Sequence, residues 1–525
     1  MKNILFIMCD QLRWDYLSCY GHPHLHTPNI DWLAENGVRF DRAYIQSPVC
    51  GPSRACIYTG RYQTTLGVRH NGYPVRLDEL GLGDYLAEVG VKTAVVGKTD
   101  LHVDPVTAKR LGVDLSVENR KLLGIEDFDE DSGNHPTKML RQRGEHFQYN
   151  DYLRQQGYEG ENPWHTYANS TVDEAGNVLD GWYNRHAKHP ANIRAEHSQT
   201  PYTTNRAIDF LQTVGDQPWC LHVGYIKPHW PYVAPAPYHN MYSTAHMLPA
   251  NRTEAERDNP HHPVYEGFLR YTPGEGFNRE EIRETVIPVY MGLVKQVDDE
   301  IGRLLGWLQE NGLLENTMIV FTSDHGDYLG DHWLTDKYWF HEEVIRVPLI
   351  IYDPSPAADV TRGTVCDELV ESIDLVPTFV EYSGGTPSVE RLEGRSLLPL
   401  LHGANPADWR EYVICEEDYS PITVRTHLDL DVDDARATMI RTKRWKYIVH
   451  ERFRSELYDM DNDPQERHDL GEDPAYEAVR RELHEQLFRW FRRRKLRLTR
   501  THAFTRIRSQ PGWVEETMGV MIGYW

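Results

Sequence analysis

The chain has 525 residues, with 56 Lys and Arg against 79 Asp and Glu, a formal net charge of −23 at pH 7. That balance argues against a nucleic-acid partner, which needs a basic face. A 40% apolar fraction with 14 Trp, 30 Tyr and 14 Phe excludes a largely disordered chain.

Taken in chain order, Ile4–Met8 is a short apolar run after one basic residue, and Asp10 interrupts it. It predicts a buried first strand rather than a signal peptide. No segment approaches the ~18 apolar residues of a membrane span, so a cytoplasmic protein without a membrane partner is expected. Asp31–Asn36 reads as a helix ended by Gly37. Thr93–Val96, Trp219–Val223, Met318–Thr322 and Leu349–Tyr352 are continuous apolar runs, the pattern of parallel strands covered on both faces. Residues from about Val103 to Thr200 are polar and lack long periodic segments, which predicts an insertion of loops and short elements over one end of the sheet. Val289, Leu293, Val297, Ile301, Leu304 and Leu308 keep helical spacing, and Gly312 closes that helix. The turn-rich Ser383–Pro387 marks a boundary. Beyond it lie strand-like Tyr412–Cys415, Ala437–Ile440 and Trp445–His450, then a helical pattern from Tyr476 to about Lys495. The expected architecture is an α/β sandwich over 1–385 and a smaller α+β domain over 386–490. A 491–525 arm, with basic Arg492–Lys495 and apolar Met518–Trp525, is a candidate oligomer contact. The seven cysteines are scattered without a C-x-x-C, so neither a zinc ribbon nor a disulfide framework is indicated.

Asp10 follows the first strand, and Asp324-His325 follows Met318–Thr322. Ligands of open α/β sheets gather beyond strand carboxyl ends, so these groups can converge, with Gln11 adding an amide oxygen. Three oxygens and an imidazole suit a hard or borderline divalent cation. A helix cap explains each Asp equally well.

The most specific stretch is Ser47-Pro48-Val49-Cys50-Gly51-Pro52-Ser53-Arg54-Ala55-Cys56, followed by Thr59-Gly60-Arg61. A lone Cys before Gly-Pro is, by itself, more often a small buried residue than a nucleophile. The stretch carries a C-x-P-S-R signature, however, and so resembles the type I sulfatases of the alkaline phosphatase superfamily. The resemblance continues in order through Asp10-Gln11, Tyr20-Gly21-His22, Gly97-Lys98, Lys227-Pro228-His229, Ser323–Asp331 with Lys337, and Glu456–Met460.

The resemblance implies an alkaline-phosphatase-like sandwich with a large, mostly parallel sheet and a smaller C-terminal domain with an antiparallel sheet. It implies that Cys50 is oxidised to formylglycine by a formylglycine-generating enzyme. One hydroxyl of the hydrated aldehyde then attacks sulfur, and loss of the other's proton expels sulfate. Asp10, Gln11, Asp324, His325 and the Cys50 oxygen are the implied metal ligands, for Ca²⁺ or Mn²⁺ ahead of Mg²⁺. Arg54 would orient the nucleophile, while Lys98, His229 and Lys337 would bind sulfate oxygens or protonate the leaving group. Asn71 and Lys227 are candidate substrate contacts. Asp100 occupies the position where many sulfatases carry His, and His102 lies two residues further. Asp10-Gln11, His325 and the C-terminal arm resemble the phosphonate monoester hydrolase and arylsulfatase branch, whose members are tetramers; Lys98 favours a sulfate monoester. The expectation is a sulfatase acting on a small aryl-type sulfate. The alternatives are a phosphonate monoester or phosphodiester hydrolase and a non-catalytic binding protein with unmodified Cys50.

Overall fold

The computed structural model describes residues 2–113, 122–133, 135–138, 147–271, 276–496 and 501–508. Met518–Trp525 therefore lies outside the described residues. Eight strands, β1 (Asn3–Asp10), β2 (Val38–Phe40), β3 (Lys92–Gly97), β4 (Glu126–Glu130), β5 (Trp219–Pro228), β6 (Thr317–Ser323), β7 (Leu349–Tyr352) and β8 (Thr364–Cys366), form the central sheet. Their order is β8-β2-β7-β6-β1-β5-β3-β4.

The continuous apolar runs arise because alternate side chains feed two cores. Ile4, Phe6 and Met8 of β1 join one apolar cluster with Val95, Met318 and Val320. Leu5, Ile7 and Cys9 join the other with Val96, Leu221 and Ile319. The first face is covered by α2 (Cys50–Thr59) and α5 (Leu375–Tyr382). The second is covered by α1 (Pro28–Asn36), α3 (Gln199–Thr213) and α4 (Glu280–Glu310).

Strands β6, β1, β5, β3 and β4 are parallel. In contrast to the expectation from its apolar run, β7 is antiparallel to both β6 and β2. A parallel return needs a crossover that carries the chain back to the amino-terminal end of the strands. The link from β6 to β7 has as its α-helix only the four-residue Glu342–Ile345, so the chain re-enters the sheet from the carboxyl end it left. The polar insertion also contributes more than loops: β4 is an edge strand of the central sheet. Its sequence, Glu-Asp-Phe-Asp-Glu, hid it because only Asp129 is fully buried there. Elsewhere in the insertion Phe147, Tyr149, Leu153 and Trp164 pack with Tyr202 of α3 in a small separate core, which makes Trp164 a packing residue. Helix α4 begins at Glu280, ahead of the apolar pattern that starts at Val289, and carries Pro288 within it. It ends in a Schellman motif: Leu313 N–H bonds the Leu308 carbonyl, and Gly312 N–H bonds that of Gln309, with Gly312 at φ +65°.

Strands β9 (Tyr412–Asp418), β10 (Arg436–Thr442), β11 (Trp445–His450) and β12 (Glu456–Asp459) make a separate antiparallel sheet. Its Val413, Ile414, Met439 and Ile440 enter the same cluster as α2. Beyond α6 (Glu477–Arg492), Arg494 lies 4.5 Å from the Tyr62 ring and 4.0 Å from that of Trp490, and it pairs with Glu393 at 2.8 Å. The start of the C-terminal arm is thus held against the larger part of the molecule. Among the described residues no helix is long and apolar enough to cross a membrane.

Candidate active site

The register of the central strands assembles the site. Cys9 of β1 pairs with Ser323 of β6, so Asp10 and Asp324 leave the sheet side by side at its carboxyl edge. Gly97 of β3 pairs with Gly224 of β5. Gly97 has φ +88°, and a Cβ there would stand 2.2 Å from the Gly224 carbonyl oxygen, so glycine is required for the turn that delivers Lys98. Cys50 is the first residue of α2, where the helix dipole favours negative charge, and Arg54 follows one turn later on the same helix.

Asp10, Cys50, Asp324 and His325 bring one donor atom each within 4.8 Å of one another, all buried. The two carboxylates divide their oxygens. Asp10 Oδ2 takes Lys98 Nζ at 2.5 Å, and Asp324 Oδ2 takes Arg54 Nε at 2.7 Å. Their Oδ1 atoms turn inward, 3.6 and 3.8 Å from His325 Nε2. His325 Nδ1 lies 2.8 Å from the Gly326 carbonyl, which fixes the proton there and leaves a lone pair on Nε2. Burial holds the His325 pKa below its ordinary value against the pull of Asp324 and Asp10, so the ring is a neutral donor. The donor set fits a divalent cation: inward carboxylate oxygens beside an unprotonated imidazole nitrogen, with outer oxygens already neutralised.

Gln11 sits at φ +64°, held by its own N–H to Asp324 Oδ1 (3.1 Å) and by Tyr290 OH on its carbonyl (2.9 Å). Its side-chain NH₂ donates to Asp327 Oδ2 at 2.6 Å, so Oε1 must face the other way, 3.3 Å from Lys337 Nζ. Burial, with Asp336 nearby, pushes the Asp327 carboxyl up to about 6.

Lys337 Nζ also donates to Cys50 Sγ (3.1 Å) and to His229 Nε2 (3.1 Å). His229 Nδ1 meets the Trp230 carbonyl at 2.7 Å, so its Nε2 is the acceptor for Lys337. Burial keeps His229 well below its ordinary pKa, whereas Asp336 overcomes burial to hold Lys337 above its own. The proton of this pair therefore rests on Lys337. The Cys50 thiol, 3.0 Å from His325 Nε2, is pushed up to about 12 by burial, with Lys337 and Lys98 offsetting only part. An unmodified thiol there is a weak nucleophile near neutral pH.

The remaining candidates divide. Asn71 accepts from the Gly51 amide at 2.7 Å, capping α2 beside Cys50 while exposed to solvent. Lys227 donates from its ammonium to the His229 and Pro231 carbonyls at 3.2 and 2.7 Å and so pins the loop that carries His229. Burial lowers Lys227 to about 7 from 10.5. Between those values the unfolded chain binds a proton that the folded chain does not, so stability should rise with pH by up to ~1.4 kcal/mol per unit. A Lys227→Met protein is expected to lose that rise, measured as urea midpoints at pH 7 and pH 9.5. His222 lies beneath the site between Phe6 and Tyr58, a structural position. Asp327, inside the matched Ser323–Asp331 stretch, and Tyr232 and Asp336 carried no role in the sequence. Tyr232 OH and the Gln11 amide both donate to Asp327 Oδ2, so Asp327 fixes the orientation of Gln11.

A mostly parallel sheet with donors, cations and a helix-borne Cys50 at its carboxyl edge places the chain among the alkaline-phosphatase-like hydrolases. A family profile described as Sulfatase matches residues 2–385, and one described as N-sulphoglucosamine sulphohydrolase, C-terminal, matches 330–493. The chain belongs to the sulfatase family, hydrolases of sulfuric esters. It is 31% identical over 514 residues to the multifunctional alkaline phosphatase superfamily protein PehA of Trinickia caryophylli, covering 93% of this chain and 95% of that one. An arylsulfatase of Clostridium perfringens is 28% identical over 491 residues, covering 90% and 91%. The solved phosphonate monoester hydrolase SpPMH of Silicibacter pomeroyi superposes with a TM-score of 0.83 at 29% identity, covering 96% and 98%.

Proposed function

We propose that the chain hydrolyses a small, aryl-type organic sulfate ester, with formylglycine derived from Cys50 as nucleophile and one divalent metal held by Asp10, Gln11, Asp324 and His325. The observation that supports this most strongly is the position of Cys50, at a helix N-terminus between His325 Nε2 (3.0 Å) and Lys337 Nζ (3.1 Å). A bound cation would polarise the ester oxygens, and a hydrated aldehyde would supply a hydroxyl nucleophile in place of a thiol raised by burial.

The chain's own residues do the rest. Arg54, fully buried against Asp324, keeps a permanent positive charge one turn below the nucleophile. Lys98 is held above its ordinary pKa because Asp10 and Asp100 outweigh burial, so it meets an anion as an ammonium. Lys337 carries the proton, and His229 accepts its hydrogen bond, so Lys337 meets the departing alcohol oxygen as an ammonium that can hydrogen-bond the charge developing there. An imidazole among the ligands makes Mn²⁺ a strong rival to Ca²⁺, with Mg²⁺ less suited. Cytoplasmic residence and a homotetramer, the latter by family analogy, complete the proposal.

A second reading, phosphonate monoester or phosphodiester hydrolysis, is favoured by the superposition on SpPMH. The sequence departs from that branch at Lys98, where phosphonate hydrolases generally carry an uncharged residue, and this argues against it as the main activity. Comparing kcat/KM for an aryl sulfate, a phenylphosphonate monoester and an aryl phosphodiester separates the two. The sulfate is expected to be the best substrate; if it were the poorest by a wide margin, the first reading would fail.

A further inference from the structure

We propose that Asp100 sets the charge of the ester this site accepts, favouring singly charged groups over doubly charged ones. This rests on the ester binding at the Cys50 site. Each buried cation there already faces a carboxylate: Arg54 with Asp324 at 2.7 Å, Lys98 with Asp10 at 2.5 Å and Asp100 at 3.1 Å, and Lys337 with Asp336 at 3.3 Å. Asp10 and Asp324 belong to the metal-type donor set, but Asp100 and Asp336 do not. These latter two are also the more exposed members, with side chains 14% and 13% accessible against 7% or less for Lys98, Lys337 and Arg54.

Asp100 and Asp336 both hold left-handed backbone, φ +53° and +59°, a conformation that costs a non-glycine residue energy and persists only where the surroundings enforce it. Asp336 is further tied by the Trp230 indole N–H at 3.3 Å. Asp100 stands beside the lysine that β3 delivers to the site. A carboxylate there cancels part of the Lys98 charge and repels whatever negative charge an incoming anion carries. Sulfate monoesters, phosphodiesters and phosphonate monoesters carry one negative charge near neutral pH, whereas a phosphate monoester carries nearly two. One unit charge roughly 6 Å away, about two contact distances through Lys98, is worth about tenfold in affinity at an effective dielectric constant of roughly 40. Asp100 therefore penalises the second charge, and it hastens departure of inorganic sulfate, which also carries two.

The test uses the metal-loaded protein and two uncleavable anions, methanesulfonate with one charge and inorganic sulfate with two, titrated by calorimetry at pH 8. Asp100→Asn should raise the affinity for sulfate relative to methanesulfonate about tenfold. Asp100→Gly, which also tolerates the left-handed backbone, should do the same, and Asp100→Glu should keep the wild-type ratio within about twofold. A merely structural role would move both affinities by one factor. An unchanged ratio in both uncharged variants would overturn the proposal. If instead the ratio shifts as expected while the wild type fails to cleave sulfate esters, the charge filter stands and the assigned substrate falls.

Discussion

Replacing Cys50 with Ala is expected to lower turnover of an aryl sulfate about 10⁴-fold or more while leaving the fold intact. Losses of that size follow when a nucleophile is removed and only binding and electrostatics remain. The fold should survive because Cys50 is 1% exposed and loses only one small atom, and Val49, Ala55 and Cys56 still anchor α2 in the core. Steady-state rates with a parallel thermal melt decide the matter. Full turnover by the Cys50→Ala protein would remove Cys50 from the mechanism under either hydrolase reading.

Asp324→Ala should have the largest structural effect. It deletes an inward oxygen from the donor cluster and strips Arg54 of its carboxylate in a place where both side chains are 0% accessible. It also removes the acceptor for the Gln11 and His325 amides, 3.1 and 2.9 Å from Oδ1. Breaking a buried ion pair by deleting one partner typically costs about 3–5 kcal/mol, because the other charge is left uncompensated. The expected result is a protein without bound metal by mass spectrometry of the elements and with a urea midpoint lowered accordingly. Unchanged metal content would place the cation elsewhere.

Much of this was legible in the sequence, for identifiable reasons. The central strands announce themselves because burial on both faces demands unbroken apolar runs, and the site follows because Asp10, Lys98 and Asp324 stand just past such runs. What escaped was set by tertiary context. β4 is acidic because it is an edge strand with one fully buried side chain. The reversed direction of β7 depends on the absence of a crossover helix, which local pattern does not encode. The orientation of Gln11 depends on Asp327, far along the chain, and Lys227 is spent on two carbonyls of its own loop, a contact that no spacing rule distinguishes from an anion contact.

The acidic surplus also takes on a local meaning. By its net charge of −23 alone, the chain would repel an anionic substrate. Around Cys50, however, Arg54, Lys98 and Lys337 cluster with their own carboxylates, so the site is tuned separately from the surface, where net charge governs solubility and long-range steering.

The most direct test is mass spectrometry of the peptide containing Cys50, taken from a preparation that turns over an aryl sulfate. Formylglycine would make that peptide about 18 Da lighter than the thiol form, the mass difference between the two side chains in this nucleophile chemistry. The lighter peptide, present in proportion to specific activity across preparations, is the predicted result. A fully active preparation in which Cys50 is entirely thiol would contradict it.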